Sequence, residues 1–230
     1  AKEVPESMAE VHQQPAEQPD VYTDGGVLFP RYGDLAVGGV GIWWPGEQNV
    51  KFENGPQTRY LHCKVWSGGV AMWAPVHGMA MTSYRTELAA LVLASTAQKA
   101  IHVGIDNKSV CDKAAQLISI ATDCLHRERP FPKKPLKKHW QLQKDGDLWS
   151  YFKAVLDSRP PSTTVLRKVK GHATKEQVVG GCIDAFDKEG NDIADEGCLH
   201  ARRELFGTPL CNLASLLEVR SSEYVNLCVL

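Results

Sequence analysis

Apolar and polar positions change period along this chain, and the changes outline its elements. Val21 to Phe29 is β-branched and aromatic and reads as a strand. Pro30 to Asp34 reads as a turn. Ala36 to Trp44 is a second strand, rich in glycine and ended by Pro45-Gly46. A polar loop follows to Pro56. A third strand falls within Lys64 to Val76, where Gly68-Gly69 suggests a bulge or kink. Three strands in a row without a helix predict an antiparallel meander. From Thr82 to Lys99 the period becomes helical. Leu88, Leu91, Val92 and Ser95 share a face, and Thr82 or Ser83 is the N-cap. Ala100 to Ile105 is a short apolar run, a buried strand that ends at Asp106. Ser109 to Ile120 and Asp147 to Leu156 are further helices, and Thr163 to Val169 a further strand. Lys170 to Glu189 reads as a long loop, and Asn191 to Leu205 as a helix opened by Gly190-Asn191-Asp192. The strand–helix alternation after Thr82 predicts a parallel part of the sheet. The fold class is α/β, with three antiparallel strands followed by parallel ones.

Composition sets the boundaries. Residues 1–19 are rich in Glu, Gln and Pro and read as a disordered leader. Residues 20–205 form one domain. Residues 206–230 are a moderately apolar extension, read as a short helix and tail. The net charge of −1 hides an uneven distribution. Between positions 127 and 144, Arg127, Arg129, Lys133, Lys134, Lys137, Lys138 and Lys144 face a single acid, Glu128. Such a segment suits phosphates; its bland alternative is a solvated loop. Seven cysteines without a C-x-x-C fit a reduced, intracellular protein; nucleus and cytoplasm are not distinguished. The spacing of His172, Cys182, Cys198 and His200 is not a zinc pattern. No apolar run reaches transmembrane length, and no signal peptide is present.

Four acids stand where separate elements can bring them together. Asp24 lies in the first strand, before Gly25-Gly26. Asp106 ends the strand after the first helix. Glu87 sits one turn into that helix, and Asp195 one turn into the last. Singly they have ordinary roles: a turn acid, a helix cap, solvated helical acids. Met at one point, four like charges call for a cation. Hard, oxygen-binding Mg²⁺ or Mn²⁺ suits carboxylates. Two such ions about 3.5–4 Å apart can activate a water and stabilise a leaving oxyanion in phosphodiester hydrolysis.

In this order, Tyr22-Thr23-Asp24-Gly25, Arg85-Thr86-Glu87-Leu88-Ala89-Ala90, Ile105-Asp106-Asn107, Asp147-Leu148-Trp149, Val169-Lys170-Gly171-His172-Ala173 and Gly190-Asn191-Asp192-Ile193-Ala194-Asp195 resemble the type 1 ribonuclease H family. The resemblance runs from about Asp20 to Leu205. It implies a five-stranded mixed sheet flanked by helices, and hydrolysis of the RNA strand of an RNA–DNA hybrid. It makes Asp24, Glu87, Asp106 and Asp195 the metal-binding, catalytic acids. His172 would assist proton transfer or product release from a mobile loop. The segment from His126 to Lys144 resembles the basic protrusion some members use to grip the hybrid. Lys133, Lys134, Lys137, Lys138 and Trp140 are its candidate nucleic-acid contacts, with Asn107 beside the third acid. Tyr84 stands where the family often has Asn, and Asn107 where it often has Ser. Leu28-Phe29-Pro30-Arg31 replaces the usual Asn-Pro-Gly turn. The long loop from Ala173 and the start at Ala1 resemble versions carried in retrotransposon polyproteins. The rival readings are a non-catalytic binding domain of a reverse transcriptase polyprotein, and a nuclease of the same fold acting on DNA. The retained acid set favours an enzyme. No membrane or protein partner is implied.

Overall fold

A computed structural model describes residues 14–30, 36–51, 61–76, 81–134, 136 and 138–229. The turn expected at Pro30 to Asp34 lies largely outside these residues, as does Lys137. Six strands form one mixed sheet in the order β3-β4-β2-β1-β5-β6. They are β1 Val21–Leu28, β2 Val37–Pro45, β3 His62–Trp66, β4 Gly69–Val76, β5 Ile101–Ile105 and β6 Thr164–Lys168. β1 to β4 pair antiparallel, and β1, β5 and β6 pair parallel. This is the predicted mixed sheet with one strand more.

The extra strand comes from Ser67-Gly68. Both residues have positive φ, 49° and 72°. Two such residues make the tight turn whose twist suits a hairpin, so the expected bulge is a reversal that yields β3 and β4. β3 forms one edge of the sheet and is largely exposed.

Among the described residues there are five α-helices, α1 Ser83–Ser95, α2 Lys108–His126, α3 Gly146–Ser158, α4 Lys175–Val179 and α5 Ala185–Val229, of which α1, α2 and the first part of α5 pack on the strands. Thr82 caps α1 as expected, accepting from the Arg85 N–H. α2 runs to His126, past the predicted end, because Leu117 and Ala121 continue its buried face. The loop predicted from Lys170 to Glu189 holds α4, opened by a Thr174–Gln177 capping box, and the start of α5. Asp184 caps that start, accepting from the Phe186 N–H at 2.8 Å. Gly190-Asn191-Asp192 therefore lies inside the helix. Gly190 is there for packing, since a Cβ would meet the Tyr22 ring at 2.4 Å. α5 bends at Gly207, whose φ of 69° is non-helical, with Pro209 two residues on.

One core lies between the sheet and α1–α3, built on Val40, Ile42, Trp44, Leu88, Leu91, Ile101, Val103, Trp149 and Phe152. The other lies under α5, with Tyr22, Trp43, Trp73, Ile193, Ala194 and Ala201. The glycines of β2 decide how close α5 comes. A Cβ on Gly41 would lie 1.9 Å from the Ala194 carbonyl oxygen. Helix and strand backbones touch there, which seats the Asp195 turn of α5 against the sheet. Of the leader, Pro19 is buried, and the Gln18 side-chain Oε1 accepts from Arg167 at 3.1 Å. No helix among the described residues is long and apolar enough to cross a membrane.

Candidate metal and active site

Register places the first two acids. Tyr22 pairs with Gly104 and Thr23 with Ile105 in parallel strands. One step on, Asp24 and Asp106 stand side by side, and the strand period turns both side chains to one side of the sheet. Glu87 arrives from α1. Gly25 makes this possible, because a Cβ there would lie 2.1 Å from the Glu87 amide nitrogen. Carboxylate oxygens of Asp24, Glu87 and Asp106 all lie within 4.8 Å of one another. Asp24 and Glu87 are buried; Asp106 is half-buried.

The trio is electrostatically unfavourable as it stands. Burial, then the charges of Asp106 and Asp195, push the Asp24 carboxyl up to about 7. Burial, then Asp24 and Asp106, hold Glu87 well above the usual carboxylate range. Glu87 Oε2 is buried without a hydrogen-bond partner. Asp24 Oδ1 accepts from the Gly25 N–H at 2.7 Å. An unpartnered buried oxygen beside two more carboxylates fits a hard cation, and the donor set is all oxygen.

The remaining predicted residues take different places. Asp195 is half-buried and close enough for its charge to raise Asp24, yet it stands outside the tight trio. His172 is exposed, with a positive φ of 49°, on the loop after β6. Gly171 before it has a reason to be glycine: a Cβ would meet Asp106 Oδ2 at 2.1 Å. Asn107 caps α2 through Oδ1, which accepts from the Val110 N–H at 3.2 Å. Lys133, Lys134 and Lys138 are exposed. Trp140 is half-buried against the first core and opens a short 3-10 helix, Trp140–Leu142. Lys144, counted in the basic segment, lies over the Tyr84 ring at 4.8 Å.

Three supports escaped the sequence reading. Arg85 bonds Asp145 at 3.0 Å and both oxygens of Asp147 at 2.9 and 2.5 Å, tying α1 to α3. Its presence in Arg85-Thr86-Glu87, with Asp147 in a second motif, was the available signal. The Tyr22 hydroxyl donates to Asp187 at 2.9 Å, and Arg167 closes on the same carboxylate at 2.8 Å. Burial and the Asp187 charge push the Tyr22 hydroxyl far above its ordinary pKa. Cys198, fully buried, donates its S–H to the Asp24 carbonyl at 3.0 Å. No local pattern marks a packing thiol of this kind.

No family model matches the chain, and no curated protein matches it. Among solved structures, it is similar to the solution structure of the PFV RNase H domain, at 19% identity and a TM-score of 0.47 over 80% of this chain and 95% of that one. It is also similar to the crystal structure of LC9-RNase H1, a type 1 RNase H with the type 2 active-site motif. That match has 16% identity and a TM-score of 0.45 over 79% of this chain and 70% of the other. Its antiparallel strands followed by parallel ones, its flanking helices, and its acids within β1 and just after β5 form the mixed α/β arrangement that the chain's ribonuclease H-like motifs lead one to expect.

Proposed function

We propose that the chain is an endonuclease that hydrolyses the RNA strand of RNA–DNA hybrids. The observation that carries this reading is the convergence of Asp24, Glu87 and Asp106, with one Glu87 oxygen buried and unpartnered. Asp24, Glu87, Asp106 and Asp195 would hold two divalent ions, Mg²⁺ or Mn²⁺. Bound there, such ions lower the pKa of an attacking water and stabilise the leaving oxygen. The chain's own part is to hold the four acids in place. Gly25 and Gly41 let α1 and α5 approach, and Cys198 fastens α5 to β1.

His172 is assigned to proton transfer or product release. Its exposure and its position one residue from the glycine that abuts Asp106 support this role. An imidazole can both give and take a proton near neutral pH. Lys133, Lys134, Lys137, Lys138 and Trp140 are assigned to the hybrid's backbone, and Asn107 to a contact beside Asp106. The exposure of Lys133, Lys134 and Lys138 supports a phosphate-facing segment. The domain proper is assigned to 20–205 and the compartment to the cell interior, where the free cysteines among the described residues would stay reduced.

The test is direct. Labelled RNA–DNA hybrid, duplex RNA and duplex DNA are incubated with the protein in Mg²⁺ or in EDTA. Cleavage of the RNA strand of the hybrid, in Mg²⁺ alone, is the expected result. Binding without cleavage would leave the non-catalytic alternative. Equal cleavage of duplex DNA would overturn the substrate assignment.

A further inference from the structure

Every described side chain of α5 after Gly207 is exposed. Up to Ala201 the helix is anchored in the core under the sheet. After Gly207 it continues to Val229, and among the described residues neither core cluster includes one of that segment. Leu213, Leu216, Leu217, Val219, Tyr224 and Val225 are each more than half exposed. The helix from Thr208 to Val229 is about 30 Å long at the ordinary rise per residue. A set of exposed apolar side chains on that scale marks an interaction surface in a water-soluble domain.

The spacing says what kind of partner fits. Leu210, Leu213, Leu217, Arg220, Tyr224 and Leu227 recur at alternating steps of three and four. That is the a/d seam of a coiled coil, interrupted once by Arg220. A seam of this kind packs against another helix with the same repeat. The segment's charges give no reason for a different partner. Glu218, Arg220 and Glu223 are the only charged residues after Gly207, and Arg220 pairs with Glu223 at 3.2 Å on the same helix. Two copies can therefore approach without strong repulsion. A membrane surface fits less well, since interfacial helices carry a polar face rich in Lys and Arg. A helix pair of this length removes on the order of 1,200 Å² from water, at the low end of stable interfaces.

We infer that the segment from Thr208 to Val229 is a self-association helix, pairing with the same segment of a second copy of this chain. Arg220 limits its strength. An arginine on the seam must carry its guanidinium out to solvent along its aliphatic stem. The association is accordingly reversible and concentration-dependent. It is independent of the acid centre, which lies on the other side of the bend in α5.

Sedimentation of the full chain over a range of concentrations tests this. A mass rising towards twice 25.4 kDa is expected as concentration increases. The double variant Leu213→Glu, Leu217→Glu should stay at the mass of one chain throughout, with its helical circular dichroism retained. Val219→Glu alters an equally exposed residue off the seam and should associate like the parent. A parent that remains a single chain at every concentration overturns the inference. So does a Val219→Glu variant that is disrupted as strongly as the seam variant, because that would show general stickiness in place of a paired seam.

Discussion

Arg85 and Glu87 are two residues apart on α1, and each faces two aspartates. Arg85 meets Asp145 and Asp147 as a cation between anions, and its charge is compensated. The pairing holds Asp147 below, and Arg85 above, its ordinary pKa. Glu87 meets Asp24 and Asp106 as an anion among anions, and burial together with these charges raises both Glu87 and Asp24. The first cluster is complete as the chain folds. The second is tolerable only with protons or a cation added. Two charged residues on one helix thus give a fastening in one place and a cluster suited to a cation in the other, and the sign of the central charge decides which.

Removing an acid breaks the second cluster most severely. Asp24→Asn and Asp106→Asn should each abolish hybrid cleavage in Mg²⁺. Neither should unfold the chain. In metal-free buffer at pH 8, Asp24→Asn should melt several degrees higher than the parent, because a like-charge repulsion has gone. Near-parental turnover in either variant would remove that acid from the site.

Breaking the first cluster should have the opposite signature. Arg85→Met leaves Asp145 nearly buried without its cation, while Asp147 can still reach water. A loss of about 2–4 kcal/mol is expected, somewhat less than for a fully buried pair. Denaturant unfolding reads this directly. A stability unchanged by Arg85→Met would mean the pair contributes nothing, and the contrast between the clusters would collapse.

His172 lies outside both clusters and serves as the control on activity. His172→Ala should lower turnover by roughly tenfold to a hundredfold, less than losing an acid, because general acid–base help contributes about that order or somewhat more. Hybrid binding should change little. Comparing single-turnover with steady-state cleavage separates the two roles assigned to it: an equal loss in both assays means chemistry, and a loss only in steady state means product release. Unaltered rates in both would return His172 to an ordinary surface residue.

The gentlest perturbation is pH. The folded Asp24 carboxyl sits near 7, against an ordinary value of 3.8. Between those values the folded chain holds a proton that the unfolded chain has released. Stability in metal-free buffer should therefore fall as pH rises from about 4 to 7, and stay low above it. Mg²⁺ would bind the ionised acids, so its stabilising effect should be greatest above pH 7 and fade towards pH 5. Melting curves with EDTA and with Mg²⁺ across this range check both statements. A metal effect of equal size at pH 5 and pH 8 would argue against a site built on these carboxyls.

The parts of the fold that depend on local chemistry were legible. Val21 to Leu28 and Ile101 to Ile105 are strands because their side chains prefer extended backbone and burial. α1 begins where Thr82 can cap it. The misreadings share a cause. At Ser67-Gly68 the turn depends on a positive φ in a serine, which composition does not announce. At Gly190 a residue that usually ends or opens a helix sits inside one, because Tyr22, distant in sequence, needs the space.

By itself the sequence determined which acids were available, which elements carried them, and that a mixed sheet would support them. These follow from residue preferences and periodicity, which act over a few neighbours. Only the tertiary structure decided that Asp24, Glu87 and Asp106 share one point while Asp195 stands slightly apart, and that Arg85 is spent on Asp145 and Asp147. Those outcomes rest on strand register, on backbones meeting at Gly25 and Gly41, and on Gly171 lying against the Asp106 carboxylate. A register is set by the packing of the whole sheet, and a shift of one residue would turn Asp24 to the opposite face.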